Sequence, residues 1–246
     1  SWYSFLKMQS KVAPKMNNII SPSKSSKNDI QKYFHVDASK IHVIPNGIDT
    51  GIFKPNLMIS KKPFKLITTA SADVPLKGLD FTLRAIAAAK DKYPLINLVV
   101  IGKPRSGGHT ERLISKLGID EFVSFKTNLT NQEVSDEYAS SQIAIVSSLY
   151  EGFGFPVGEA MACAVPLIAT DVASIPEITG PYAEMITPES HEDIFNSLDN
   201  IFQNYDHYMK KANLGRDHIL QNFSWSVIAN SYIDHISSIL TSHADI

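Results

Sequence analysis

Cysteine is almost missing from this chain: Cys163 is the single thiol in 246 residues. One thiol closes no internal disulfide, so nothing points to an oxidising compartment. There is no D-x-D pair and no H-E-x-x-H, and the eight histidines are scattered. Neither a bridging divalent cation nor a zinc site is indicated, so metal and cofactor are both expected to be none. No Ser/His/Asp or Cys/His constellation stands out. The glycine-bearing loop GKPRSGG at 102–108 lacks the GK[ST] of a phosphate-binding P-loop. No apolar run reaches the roughly 18 residues of a membrane span, and no stretch reads as a signal peptide. Excess charge is absent too: the net value of −2 is too balanced for a nucleic-acid partner. The chain opens on Ser1 rather than Met, and a piece of a longer protein is the expectation.

What is present is a hydrophobic content of 43%, enough for one large core plus a fragment. Charge is unevenly spread. Residues 1–40 carry seven lysines against Asp29 and Asp37, which gives +5 and leaves −7 for the remainder. Lys7, Lys11 and Lys15 recur every four residues, with Trp2, Phe5 and Leu6 as apolar bulk. Such a helix suits peripheral contact with an anionic membrane, or a solvated face whose apolar side packs on a further domain; the second reading is preferred.

Residues 17–20 and 41–44 read as short strands. A helix is expected up to Phe34, with Ser21 as N-cap and Pro22 in its first turn. The run PNGIDTGIFKP (45–55) is a loop and a natural boundary. From Phe64 onward, strand candidates at 65–70, 96–101, 122–125, 143–147, 166–170 and 183–186 alternate with helical stretches such as Gly78 to Lys92. This alternation predicts an α/β fold, a Rossmann-like parallel sheet with helices on both faces. After residue 190 the chain reads as helical, broken near Asn204 and near 222–224.

The most informative segment is SLYEGFGFPVGEAMA, from Ser148 to Ala162. Upstream, IAIVSS reads as a buried strand; downstream, PVGEAMACA reads as a helix with Pro156 in its first turn. A strand emptying through a glycine-bearing loop into a helix N-terminus aims bare N–H groups above the sheet, where they hold phosphate. Glu151 and Glu159, with seven residues between them, flank that cradle. Carboxylates there suit hydroxyl groups, which donate to an ionised acceptor. A phosphate bordered by hydroxyls describes a nucleotide sugar.

The stretch Glu151 to Glu159 resembles the E-x7-E signature of the retaining glycosyltransferases of family four, two-domain enzymes of GT-B architecture. Three more segments resemble that family in order: IHVIPNGIDTGIFKP (41–55) its interdomain linker, VPLKG (74–78) its phosphate-lysine turn, and FSW (223–225) the start of its last helix. The likeness implies that residues 1–45 are the tail of a missing N-terminal acceptor domain and 46–60 the linker. Residues 61–224 would be the nucleotide-sugar-binding domain, and 225–246 the helix crossing back. It implies Glu159 on the donor ribose, Glu151 facing the donor sugar, and Lys77 on the diphosphate leaving group. Gly152, Phe153, Gly154 and Phe155 would contribute the donor-binding turn, and Leu129 would meet the nucleobase through its backbone.

The family's usual arginine, five or six residues before the lysine, is absent: Ala72 and Ser71 stand there. Arg105 reads as solvent-exposed rather than as a replacement. The implied activity is metal-independent transfer from a nucleoside-diphosphate sugar to a glycan or lipid-linked acceptor hydroxyl. The implied place is the cytoplasm, at the inner face of the membrane. Rival readings are an epimerase or phosphorylase of the same architecture, and a non-catalytic sugar-nucleotide-binding module.

Overall fold

The computed structural model describes the backbone of residues 2–71 and 73–244, and the side chains of residues 4–71 and 73–241. Ala72, Ser1, the Trp2 side chain and the last two residues of the expected terminal helix lie outside the described residues. The elements run α1 (Trp2–Val12), β1 (Ile19–Ser21), α2 (Lys24–Phe34), β2 (Ile41–Val43), β3 (Lys65–Thr69), α3 (Leu79–Ala89), β4 (Asn97–Ile101), α4 (His109–Leu117) and β5 (Val123–Lys126). They continue α5 (Asn131–Ala139), β6 (Ile143–Val146), α6 (Phe155–Ala162), β7 (Leu167–Thr170), α7 (Ile175–Thr179), β8 (Glu184–Ile186), α8 (His191–Gln203), α9 (Tyr205–Asn222) and α10 (Trp225–Ala244). Breaks at Asn204 and 223–224 fall where the sequence predicts them.

Six strands form one parallel sheet in the order β5-β4-β3-β6-β7-β8; β1 and β2 pair separately, also in parallel. The large sheet has a helix layer on each face, and strand alternation feeds both. Leu66, Ile143 and Ile145 join Leu83, Ile86 and Leu198 on one side. Ile67, Ala144 and Val146 join Val157, Met161 and Ile219 on the other. Each such aliphatic side chain contributes about 1.5–3 kcal/mol on leaving water; burial on both faces is why β6, IAIV, reads as an unbroken apolar run rather than an alternating one.

The chain builds outward from β3 in one direction through β4 and β5, then returns to β3's other side to lay down β6, β7 and β8. The order therefore reverses between β3 and β6. At such a switch point the flanking connections leave in opposite directions and open a crevice above the strands' carboxyl ends.

Two local expectations are corrected. The N-cap of α2 is Ser23, whose side chain accepts from the Ser26 amide. Ser21 is claimed by β1 through its register with Val43, and its buried hydroxyl donates to the Ser23 carbonyl. The helix expected from Gly78 starts one residue later. Residues Pro75–Lys77 form a short 3-10 turn, Gly78 follows at φ +62°, and α3 starts at Leu79. The loop 45–55 is fastened to the start of α10: the Ile48 amide donates to the Phe223 carbonyl at 2.7 Å.

Candidate functional site

The loops leaving β3 and β6 meet above the switch point and are stitched together. The Leu149 amide donates to the Leu76 carbonyl at 2.8 Å. The Ser147 hydroxyl donates to the Gly78 carbonyl at 2.9 Å. A glycine is required at 78, because a Cβ there would sit 1.9 Å from the Ser147 carbonyl oxygen, at a positive φ besides. This junction places Lys77 Nζ 2.7 Å from Glu151 Oε1, and the Ser148 hydroxyl donates to the same oxygen at 2.7 Å. The side chains of Lys77 and Glu151 are 28% and 11% exposed, so the ion pair sits at the mouth of the crevice, reachable by a ligand.

The turn itself is asymmetric in its hydrogen bonding. The Glu151 carbonyl accepts from the Ser174 amide, the Phe153 carbonyl from the Ser174 hydroxyl at 2.7 Å, and the Gly152 carbonyl from Ser23 and Ser26 at 2.8 and 3.0 Å. The Gly154 carbonyl takes the amides of Val157 and Gly158 at the start of α6. Among the described residues, the amides of Gly152, Phe153, Gly154 and Phe155 donate to nothing. Four satisfied carbonyls opposite four unspent N–H groups, at a helix N-terminus, make an anion cradle. Gly154, at φ +99°, turns the chain into α6. Phe153 is buried in the core, its ring centroid 5.1 Å from that of the exposed Phe155.

Glu159 lies on the fifth residue of α6. Burial pushes its carboxyl up to about 7, with no hydrogen bond or ion pair offsetting that cost. Burial and the charge of Glu159 together push up the Tyr138 hydroxyl, itself bonded to Thr69 at 3.0 Å. A desolvated carboxylate without a donor is chemically suited to receive hydroxyls.

Between the ends of β3 and β4 lies a cleft of about 380 Å³ whose walls include Ser71, Lys77, Gly102, Lys103 and Pro156. Lys103 is the cation that the sequence reading passed over. Its position directly after β4's closing glycine, at the sheet's carboxyl edge, was the available signal. Arg105 is exposed, as expected; its backbone amide donates to Asp73 at 2.7 Å. Leu129 is half-buried between β5 and α5, two strands out from β3, and is not among the cleft's walls. The structure thus brings Lys77, Glu151 and the turn 152–155 together, with Glu159 one helical turn deeper.

Comparison with known proteins gives this arrangement its relatives. The description "Glycosyl transferases group 1" matches residues 53–218, and "Glycosyltransferase Family 4" matches residues 1–51. The chain belongs to the group 1 glycosyl transferases. It is 33% identical over 231 residues to the MMP alpha-(1->4)-mannosyltransferase of Mycolicibacterium hassiacum, covering 93% of this chain and 56% of that protein. The sucrose-phosphate synthase of Thermosynechococcus elongatus superposes with a TM-score of 0.85 at 20% identity, over 98% of this chain and 62% of the other. Anabaena Alr3699/HepE, solved in complex with UDP and glucose, gives 0.84 at 18% identity over 96% and 67%. The fold is accordingly the Rossmann-like α/β unit of GT-B glycosyltransferases, and the chain spans little more than half of its mannosyltransferase relative.

Proposed function

We propose that this chain is the donor-binding half of a retaining, metal-independent glycosyltransferase using a nucleoside-diphosphate sugar. The observation that carries this reading is the turn 151–155: its amides are unspent, its carbonyls are tied back, and a carboxylate stands on each flank. The diphosphate lies over the N-terminus of α6, with Lys77 and Lys103 as counter-charges. Glu159 receives the vicinal ribose hydroxyls. Glu151, held by Lys77 and Ser148, faces the sugar, where its charge favours the oxocarbenium-like state formed as the bond breaks. That a protein of this fold was solved with UDP and glucose supports the nucleotide-sugar assignment.

In the reaction, the bond from anomeric carbon to leaving phosphate oxygen breaks and a bond to the acceptor oxygen forms on the same face. The acceptor's proton passes to the departing phosphate. Residues 1–45 then belong to an acceptor domain, 46–60 to the linker, 61–224 to the donor domain and 225–246 to a returning helix. The acceptor is a glycan or lipid-linked hydroxyl at the cytoplasmic face of a membrane. Among the described residues no helix is long and apolar enough to cross one, so contact through α1 would be peripheral.

The test is a thermal-shift and calorimetry screen with UDP, GDP and ADP and their sugars. Stabilisation by one nucleotide family is expected; no response to any of them overturns the reading. For the full-length enzyme, product analysis should show the donor's anomeric configuration kept and turnover unchanged by EDTA. A second reading, a binding module without turnover, is favoured by Ser71 and Ala72 standing where the family places an arginine. It predicts tight binding and no transfer by the full-length protein.

A further inference from the structure

The three peptide planes that aim the donor cradle are each held by a serine, and one of these holds comes from outside the sheet domain. Because a trans peptide is planar, its C=O and N–H point in opposite directions. Fixing the Glu151 carbonyl on Ser174 therefore aims the Gly152 amide away from α7, and fixing the Phe153 carbonyl on Ser174 does the same for the Gly154 amide. The middle plane is fixed differently. The Gly152 carbonyl is held by Ser23 and Ser26 at the N-terminus of α2, inside the stretch 1–51 that matches a different family description from the rest. That hold dictates where the Phe153 amide points.

The contact is returned by the sheet domain. The Glu177 carboxylate accepts from the backbone amides of Lys24 and Ser25, at 2.8 Å each, filling the orphan N–H groups of the first turn of α2. One turn further along, the Tyr150 hydroxyl donates to Asp29 at 2.6 Å. The strands and loops that separate these partners amount to more than a hundred residues of chain, so the contact is tertiary, not local. It joins α2 to the turn that the donor-site reading places against the sugar.

We propose that Ser26, supported by Ser23 and Glu177, is a positioning residue: α2 of the acceptor-side segment orients the Gly152–Phe153 peptide and so completes the sugar-facing part of the cradle. This rests on the donor-site reading above. Its consequence is that donor-sugar affinity depends on how α2 is seated against the turn.

Ser26→Ala is the discriminating variant, because the Ser26 side chain donates to the Gly152 carbonyl while α2 keeps its Ser23 cap. In amide-resolved NMR of the chain without ligand, the Gly152 and Phe153 signals should move in Ser26→Ala and return towards their original positions in Ser26→Thr, which restores a hydroxyl. Affinity for UDP-glucose, or the GDP or ADP sugar if the screen selects it, should fall about tenfold, consistent with one hydrogen bond. Affinity for the bare nucleoside diphosphate should change less than about threefold by the same scale. Unmoved amide signals, or equal losses for nucleotide and nucleotide sugar, overturn the proposal. If the wild-type chain binds no nucleotide while the amide signals still respond, the donor-site reading fails and the orientation of the peptide by Ser26 stands.

Discussion

Glu159 is the residue whose chemistry depends most on its surroundings. Its carboxyl is raised from 4.5 to about 7 by burial alone. The folded chain therefore holds this proton more tightly than the unfolded one. Stability from this group is complete below about pH 4.5 and is lost as pH climbs to about 7. Glu159→Gln should accordingly match wild type near pH 4 and exceed it at pH 8, by on the order of 3 kcal/mol at most, as read from urea titrations at the two pH values.

Binding runs the opposite way, since ribose hydroxyls need the ionised acceptor. Nucleotide-sugar affinity should rise between pH 6 and 8 in wild type and stay flat in Glu159→Gln. A nucleotide sugar is the right probe because its diphosphate, esterified at both ends, has no proton titrating in that window. Glu159→Ala should weaken binding by ~1.5–3 kcal/mol, the range for hydrogen bonds to a charged group. Lys77 is a simpler case: on the proposed reading, removing this counter-charge of the leaving diphosphate should cut kcat of the full-length enzyme about 10²–10³-fold and weaken nucleotide binding as well.

At the scale of elements, the site depends on turns more than on the strands and helices they join. The strand positions at 65–70, 143–147 and 166–170 were readable because burial on both faces leaves an apolar signature that needs no tertiary knowledge. The start of α3 was not. The turn VPLKG was legible by its resemblance, but only the close approach of Ser147 shows why Gly78 stays left-handed and the helix begins at Leu79. Gly78→Ala should cost about 2–4 kcal/mol, from a left-handed backbone and a clash together, measurable as a lower denaturation midpoint. The α2 cap makes a similar point. Ser21 and Ser23 are equally good caps by residue type, and the pairing of β1 with β2 decided between them.

At the scale of the whole molecule, the two terminal helices carry exposed apolar side chains. On α1, Phe5, Met8 and Val12 are exposed, and on α10 so are Trp225, Ile233, Ile236 and Leu240. These helices belong to the two ends of a chain that spans 56% of its mannosyltransferase relative. An acceptor half seated on them would bury that apolar surface. The isolated chain should therefore bind nucleotide yet transfer no sugar, whereas the full-length protein does both. Radiolabelled-donor assays on the two species check this, and transfer by the isolated chain would show the acceptor half to be dispensable.

The sequence by itself determined the strand–helix alternation, the glycine turn and its two flanking glutamates, because these follow from residue type and spacing along a local stretch. Only the tertiary structure decided that Lys77 meets Glu151, that Lys103 rather than Arg105 reaches the cleft, and that serines of α2 hold the turn. Those contacts join residues dozens to more than a hundred positions apart, and such closures are set by how the sheet reverses its order, which no local window of residues records.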